Sequence, residues 1–354
     1  MALNRALARA ARLTSERDNR RGVSVLVKTA RLKLAGAITA GLLGSACLMA
    51  PAQAASTAQL QQSWRASIAR TVTPGKGCYE AAYPLTAWKE VACVTAPNIP
   101  YLPRSGAGAG QTTGDGNDYA AVTATPTSSA TGSFPKVKGL TSETDGGRAN
   151  VYSLQLNSNF MSNDQACAGA ATPANCLGWE QFVYSSSEHQ VFMQYWLIHF
   201  DKGCPGGWNT FTNSGHTDCW KNSNGVAAPQ EPVSDLKNIT LSGTAVASGV
   251  DTINFVDGAH AYSVTGPDTV MFLAAGWTES EFNIIGDGGG SAANFNAGTS
   301  LTVHIGLVDG TTAKPVCKAD DGTTGETNNL NLGTCKAKKG KGTKLPSVQF
   351  VESN

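Results

Sequence analysis

The chain has 354 residues and a formal net charge of +1, but the charge is unevenly placed: nine of its 27 Lys/Arg and two of its 26 Asp/Glu fall in the first 54 residues. The rest therefore carries a net charge of about −6, which argues against nucleic acid as a partner. It is also long enough to bury a substantial core as one β-rich domain.

The opening stretch is basic, with Arg5, Arg9, Arg12, Arg17, Arg20, Arg21, Lys28, Arg31 and Lys33. An apolar run of 16 residues follows from Leu34 to Met49, and then Ala52-Gln53-Ala54. A basic lead-in, a short apolar run and small residues at the cleavage positions are the parts of a secretory signal. Residues 1–54 are thus expected to be a signal peptide cut near Ala54, which places the mature protein outside the cytoplasm, extracellular or periplasmic. The run is short and Gly/Ala-rich for a stable membrane anchor. Arg20-Arg21 is separated from it by further cations, and Gly44 stands where lipidation of Cys47 would want an aliphatic residue.

Removing that segment takes Cys47 with it and leaves eight cysteines in four local couples: Cys78 and Cys93, Cys167 and Cys176, Cys204 and Cys219, Cys317 and Cys335. An even number in an oxidising compartment reads as a disulfide framework, and each couple brackets a loop. Zinc is the competing reading, but there is no C-x-x-C pair or His cluster to support it. The five histidines (His189, His199, His216, His260, His304) are scattered. No metal and no cofactor is expected.

Residues 55–104 form an N-terminal segment, either a pro-segment or an extension of the sandwich. Residues 57–72 suit a short amphipathic helix, 78–93 a hairpin closed by its cysteines, and Pro97, Pro100 and Pro103 an extended path. Residues 105–117 are a Gly-rich linker, and its Gly114-Asp115-Gly116 lacks the ligand spacing of a calcium loop. From 118 to 354 the period becomes two. Tyr152, Leu154 and Leu156 alternate with Ser153, Gln155 and Asn157. Strand signals recur at 190–200, 237–247, 251–256, 260–265, 268–274, 300–308 and 347–352, separated by turn residues. Many short strands without amphipathic helices predict an all-β antiparallel sandwich or barrel, stapled by disulfides. The lysines between Lys336 and Lys344 read as a solvated loop before the last strand, and Asn238-Ile239-Thr240 is a formal glycosylation sequon.

Two segments concentrate chemistry. Gly178-Trp179-Glu180-Gln181-Phe182-Val183-Tyr184 and Phe192-Met193-Gln194-Tyr195-Trp196 read as neighbouring antiparallel strands rich in aromatics and amides. Gly276-Trp277-Thr278-Glu279-Ser280-Glu281-Phe282 leads into a Gly loop and a Phe-containing strand. Trp179, Gln194, Trp196 and Trp277 are candidate substrate-binding residues, because aromatic faces with amides suit sugar rings as well as peptides. No G-x-S-x-G is present for a serine nucleophile.

The order of these pieces resembles the glutamic peptidases of the eqolisin type. The resemblance implies a concanavalin-like or jelly-roll β-sandwich in which a Gln and a Glu activate water and stabilise the oxyanion at acidic pH. On it, Gln181 takes the catalytic Gln position, 191–197 the family's aromatic strand and Trp277 to Phe282 its acidic strand. The chain departs from the family at one position: the catalytic Glu directly before the Trp is here Gly276. Glu281 and Glu279 are the candidate substitutes, and strand alternation is expected to put both on the face of Trp277. Two functions follow, a secreted acid-type hydrolase acting on extracellular polypeptide, or a binding module for polysaccharide or a cell surface on the same sandwich. A purely structural envelope protein is a third reading, and the sequence leaves the oligomeric state open.

Overall fold

The Ser153–Ser158 strand sets the pattern for the architecture: Leu154 and Leu156 turn into the core while Gln155 and Asn157 turn to the opposite face. The computed structural model describes residues 55–106, 110–162 and 165–354, so the expected signal peptide lies outside the described residues.

Alternation of this kind repeats through two sheets packed face to face. The first runs Asn209–Asn213, His216–Asn222, Gln190–Ile198, Leu177–Ser185, Ser153–Ser158, Glu279–Ile285, Ala120–Val122 and Val316–Lys318. Along the middle of the second lie His260–Pro267, Val250–Asp257, Ile239–Thr244, Ser129–Lys138, Ser300–Val308 and Ser347–Ser353. Pairing is antiparallel among the described strands except where Ala292–Phe295 meets Thr327–Leu332. The chain is thus an all-β sandwich, as its periodicity implied.

Between the sheets, Phe182, Tyr184, Tyr195 and Phe282 from the first meet Phe134, Leu241, Phe255 and Val303 from the second. Tyr184 stacks on Phe255 with ring centroids 4.0 Å apart, and Phe134 lies 5.1 Å from Phe282. Two glycines let the sheets approach at these rings. A Cβ on Gly132 would collide with Phe282, and one on Gly243 with Phe182.

All four expected disulfides form: Cys78–Cys93, Cys167–Cys176, Cys204–Cys219 and Cys317–Cys335. The N-terminal helix is Thr57–Ile68, begun by a Ser56/Gln59 capping box and held by buried Trp64 and Ile68. Cys78–Ala82 then pairs with His260–Pro267, and Val94–Thr95 with Asn224–Ala227, so this segment is built into the sheets.

Three local expectations fail. Residues 268–274 are not a strand but two helical turns, Asp268–Val270 and Leu273–Gly276. The Asp268 carboxylate accepts from Ser248 N and Ala274 N, and Phe272 takes a left-handed φ of 54°, which together end the extended path. The linker is pinned in its second half, where Thr112–Gly114 pairs with Thr327–Leu332. The basic tail is only partly loop: Lys336–Lys338 pairs with the last strand, and Lys338, Lys339 and Lys344 share a cleft with Arg65, Arg70 and Lys237.

The close approach at Gly132 predicts that Gly132→Ala lowers stability by about 1–3 kcal/mol through overpacking against Phe282. Urea unfolding measures it, and an unchanged midpoint would mean the sheets can part there at no cost.

Candidate active site

Register brings the polar side chains of five strands into one row on the outer face of the first sheet. Asn222 lies opposite Gln194, Gln194 opposite Gln181, Gln181 opposite Asn157, and Asn157 opposite Glu281. Gln181 and Glu281 are thus two strand spacings apart, about 9.5 Å between backbones, with Asn157 between them.

A hydrogen-bonded chain joins them. Asn157 Nδ2 donates to Glu281 Oε2 and to Gln155 Oε1, each at 3.3 Å, and Gln181 Nε2 donates to the same Gln155 oxygen at 3.0 Å. Glu281 Oε2 also accepts from Thr323 N and Thr323 Oγ1, both at 2.7 Å. The indole N–H of Trp179 donates to Thr323 Oγ1 at 3.2 Å and so orients that hydroxyl toward Glu281. On the other side, Gln155 Nε2 and Thr324 Oγ1 donate to Glu326 Oε2. Three oxygens of the row, Gln181 Oε1, Asn157 Oδ1 and Glu281 Oε1, are buried without a partner among the described residues.

The face is covered. Residues 97–104 run along the row from Asn222 toward Thr323, bonded by their main chain. Asn222 Nδ2 donates to Pro97 O, and Gln194 both donates to Ile99 O (2.9 Å) and accepts from Tyr101 N (2.7 Å). Leu102 N donates to Glu326 Oε1 at 2.9 Å, and Arg104 N to Thr323 O at 2.8 Å. Tyr101 is fully buried against Phe192, with its hydroxyl donating to Asp287 Oδ1 at 2.8 Å.

The predicted residues separate in the fold. Gln181, Glu281 and Gln194 fall in the row. Glu279 does not: it sits at the edge beside Ala120–Val122, near Lys318 and Asp321. Trp277 is not on the face of Glu281 as alternation suggested. The strand begins only at Glu279, after the helical turn, and Trp277 packs on Phe182 in the core at 5.6 Å. Gly276 lies in that turn beside Met161, so the carboxylate of the row comes from further along the chain. Trp179 and Trp196 are buried too, Trp196 donating to Gln194 Oε1 at 2.9 Å. Sequence reasoning missed Asn157, Gln155, Thr323 and Glu326; the amide alternation of 153–158 was the one available signal.

Carboxyls crowd the site without cations. Asp118, Glu281 and Glu352 are buried together, and none forms an ion pair among the described residues. Burial, then Glu281 and Glu352, push Asp118 well above the usual carboxylate range. Burial raises Glu352 to about 7 against bonds from Thr113, Asn283 and Asn328. Burial raises Glu281 as well, opposed by the donors on its Oε2. Elsewhere burial takes Glu143 and Asp251 to about 8 and Glu231 to about 7. Among the described residues no group of His, Cys, Asp and Glu could hold a metal ion, and no helix is long and apolar enough to cross a membrane.

No family model and no curated protein matches the chain. A solved structure similar to it is the crystal structure of scytalido-glutamic peptidase with a transition state analog inhibitor, at 9% identity and a TM-score of 0.26. The match covers 66% of this chain and 97% of that one. The likeness is distant and assigns no residue here.

The raised carboxyls carry a pH signature. Each keeps its proton to higher pH when folded than in the unfolded chain, where carboxyls titrate near ~4. Their stabilising contribution is complete below that value and is lost as pH rises through 7 to 8, where Glu352, Glu231, Glu143 and Asp251 ionise. The melting temperature is expected to fall steadily from pH 4 to pH 8; a rise over that range in a scanning-calorimetry series would contradict it.

Proposed function

We propose that this chain is an exported hydrolase of extended polypeptides that works in acidic surroundings. The observation that supports it is the trio of unpartnered buried oxygens on Gln181, Asn157 and Glu281, aligned in one cross-strand row. A water among them would donate to Glu281 Oε1 and Gln181 Oε1. In its ionised form, whose share grows as pH rises because burial raises the carboxyl, Glu281 takes one proton from that water as the water oxygen attacks the scissile carbonyl carbon, then passes the proton to the leaving nitrogen as the C–N bond breaks. Gln181 reaches the same place with either end of its amide. Its oxygen accepts from the water, and its NH2, turned about the terminal bond, donates to the oxyanion.

Asn157 and Thr323 hold Glu281 Oε2, which leaves Oε1 for the proton. The four disulfides fit an oxidising compartment, and the basic-apolar leader supports export. A glycan-binding surface is the weaker reading, because the rings of Trp179, Trp196 and Trp277 are buried.

The test is peptide release from a denatured protein at pH 3–5, measured on the intact chain and on the chain cut after Arg104. Gln181→Ala and Glu281→Gln should each reduce kcat at least about 100-fold. No release by either wild-type form, together with retention on a polysaccharide column, would favour the binding module.

A further inference from the structure

The segment 97–104 lies on the row as a bound polypeptide would. Most of its polar contacts are made through its main chain. Pro97 O and Ile99 O accept from Asn222 and Gln194, and Tyr101 N donates to Gln194. Pro100 O accepts from Gly289 N, Leu102 N donates to Glu326, and Leu102 O accepts from Gly325 N. With Arg104 N donating to Thr323 O, the strap adds an edge pairing to the loop beside Glu281. Two of its side chains are received in apolar places: Tyr101 against Phe192, and Leu102 in the cluster of Trp179, Trp196 and Phe160.

Two further features bear on how long the strap stays. Prolines at 97, 100 and 103 pre-set an extended backbone and lower the ordering cost of lying there. No described disulfide crosses from this part of the chain to the rest: Cys78–Cys93 lies wholly before the strap, and the other three bridges lie wholly after it. Just beyond Arg104, Ser105, Gly106, Gly110 and Gln111 are exposed.

We infer that residues 97–104 are a resident occupant of the cleft, and that a cut at the exposed Ser105 just after Arg104 admits an extended polypeptide in their place. The incoming polypeptide is read through its backbone and carries an aromatic residue followed by a leucine-sized one where Tyr101 and Leu102 now sit. This builds on the function proposed above only for the fate of the peptide, since occupancy of the cleft does not require chemistry.

The experiment uses the full chain with a site-specific protease sequence placed after Arg104, in a Glu281→Gln background so that binding is read without hydrolysis. The probe is a fluorescein-labelled peptide of residues 97–104, followed by anisotropy. Cutting should raise its affinity at least tenfold over the intact chain, and more when Tyr101→Ala and Leu102→Ala loosen the resident strap. A probe with alanine at both of those positions should bind at least tenfold more weakly. Equal affinity of intact and cut chains, or no binding to either while circular dichroism reports a folded sandwich, overturns the inference. Binding that appears on cutting, with no hydrolysis by the cut chain that retains Glu281, leaves the strap standing and overturns the peptidase reading instead.

Discussion

A sheet face that carries Gln155, Asn157, Gln181, Gln194 and Glu281 is ordinarily left to water. Each amide or carboxyl removed from water without a partner costs roughly 1–3 kcal/mol, and all of these are buried. The cover therefore has to be polar at matching positions. Main chain meets that requirement better than apolar side chains do, because it offers a donor and an acceptor at nearly every residue. This is why the strap lies across the face and why the loop that carries Thr323, Thr324 and Glu326 folds over it. Gln194 shows the result most fully, with both ends of its amide engaged by strap backbone and by neighbouring side chains.

The same burial shapes the electrostatics. Asp118, Glu281 and Glu352 share a region from which water is largely excluded, so three negative charges there would repel strongly. Protons relieve that repulsion, and donors decide where the remaining charge resides. Glu281 Oε2 gathers Thr323 N, Thr323 Oγ1 and Asn157 Nδ2, whereas Asp118 is pushed further up by its two neighbours.

Much of the scaffold was legible in the chain. The cysteine couples bracket short loops, and the alternation at 153–158 separates the two faces of its strand. Gln181 and Glu281 could be singled out as residue types, but their alignment depends on register. Register is a property of strand pairs, and a single strand's pattern does not carry it. Asn157 was passed over because an Asn in an alternating strand reads as facing water. Thr323 and Glu326 come from a loop without periodicity. Trp277 was misplaced because alternation was extended back through a turn that Asp268 and Phe272 had already ended. The strap was seen only as an extended path, since three prolines declare conformation and say nothing about destination.

The bridges and the buried protons have one thing in common: neither is supplied by the polypeptide itself. Disulfides need an oxidising medium, and the buried carboxyls draw their protons from the solvent. Thiols and rising pH therefore act on different supports of one sandwich: the first on its bridges, the second, through 7 to 8, on the protons of Glu352, Glu231, Glu143 and Asp251. The sandwich thus responds jointly to two properties of its surroundings.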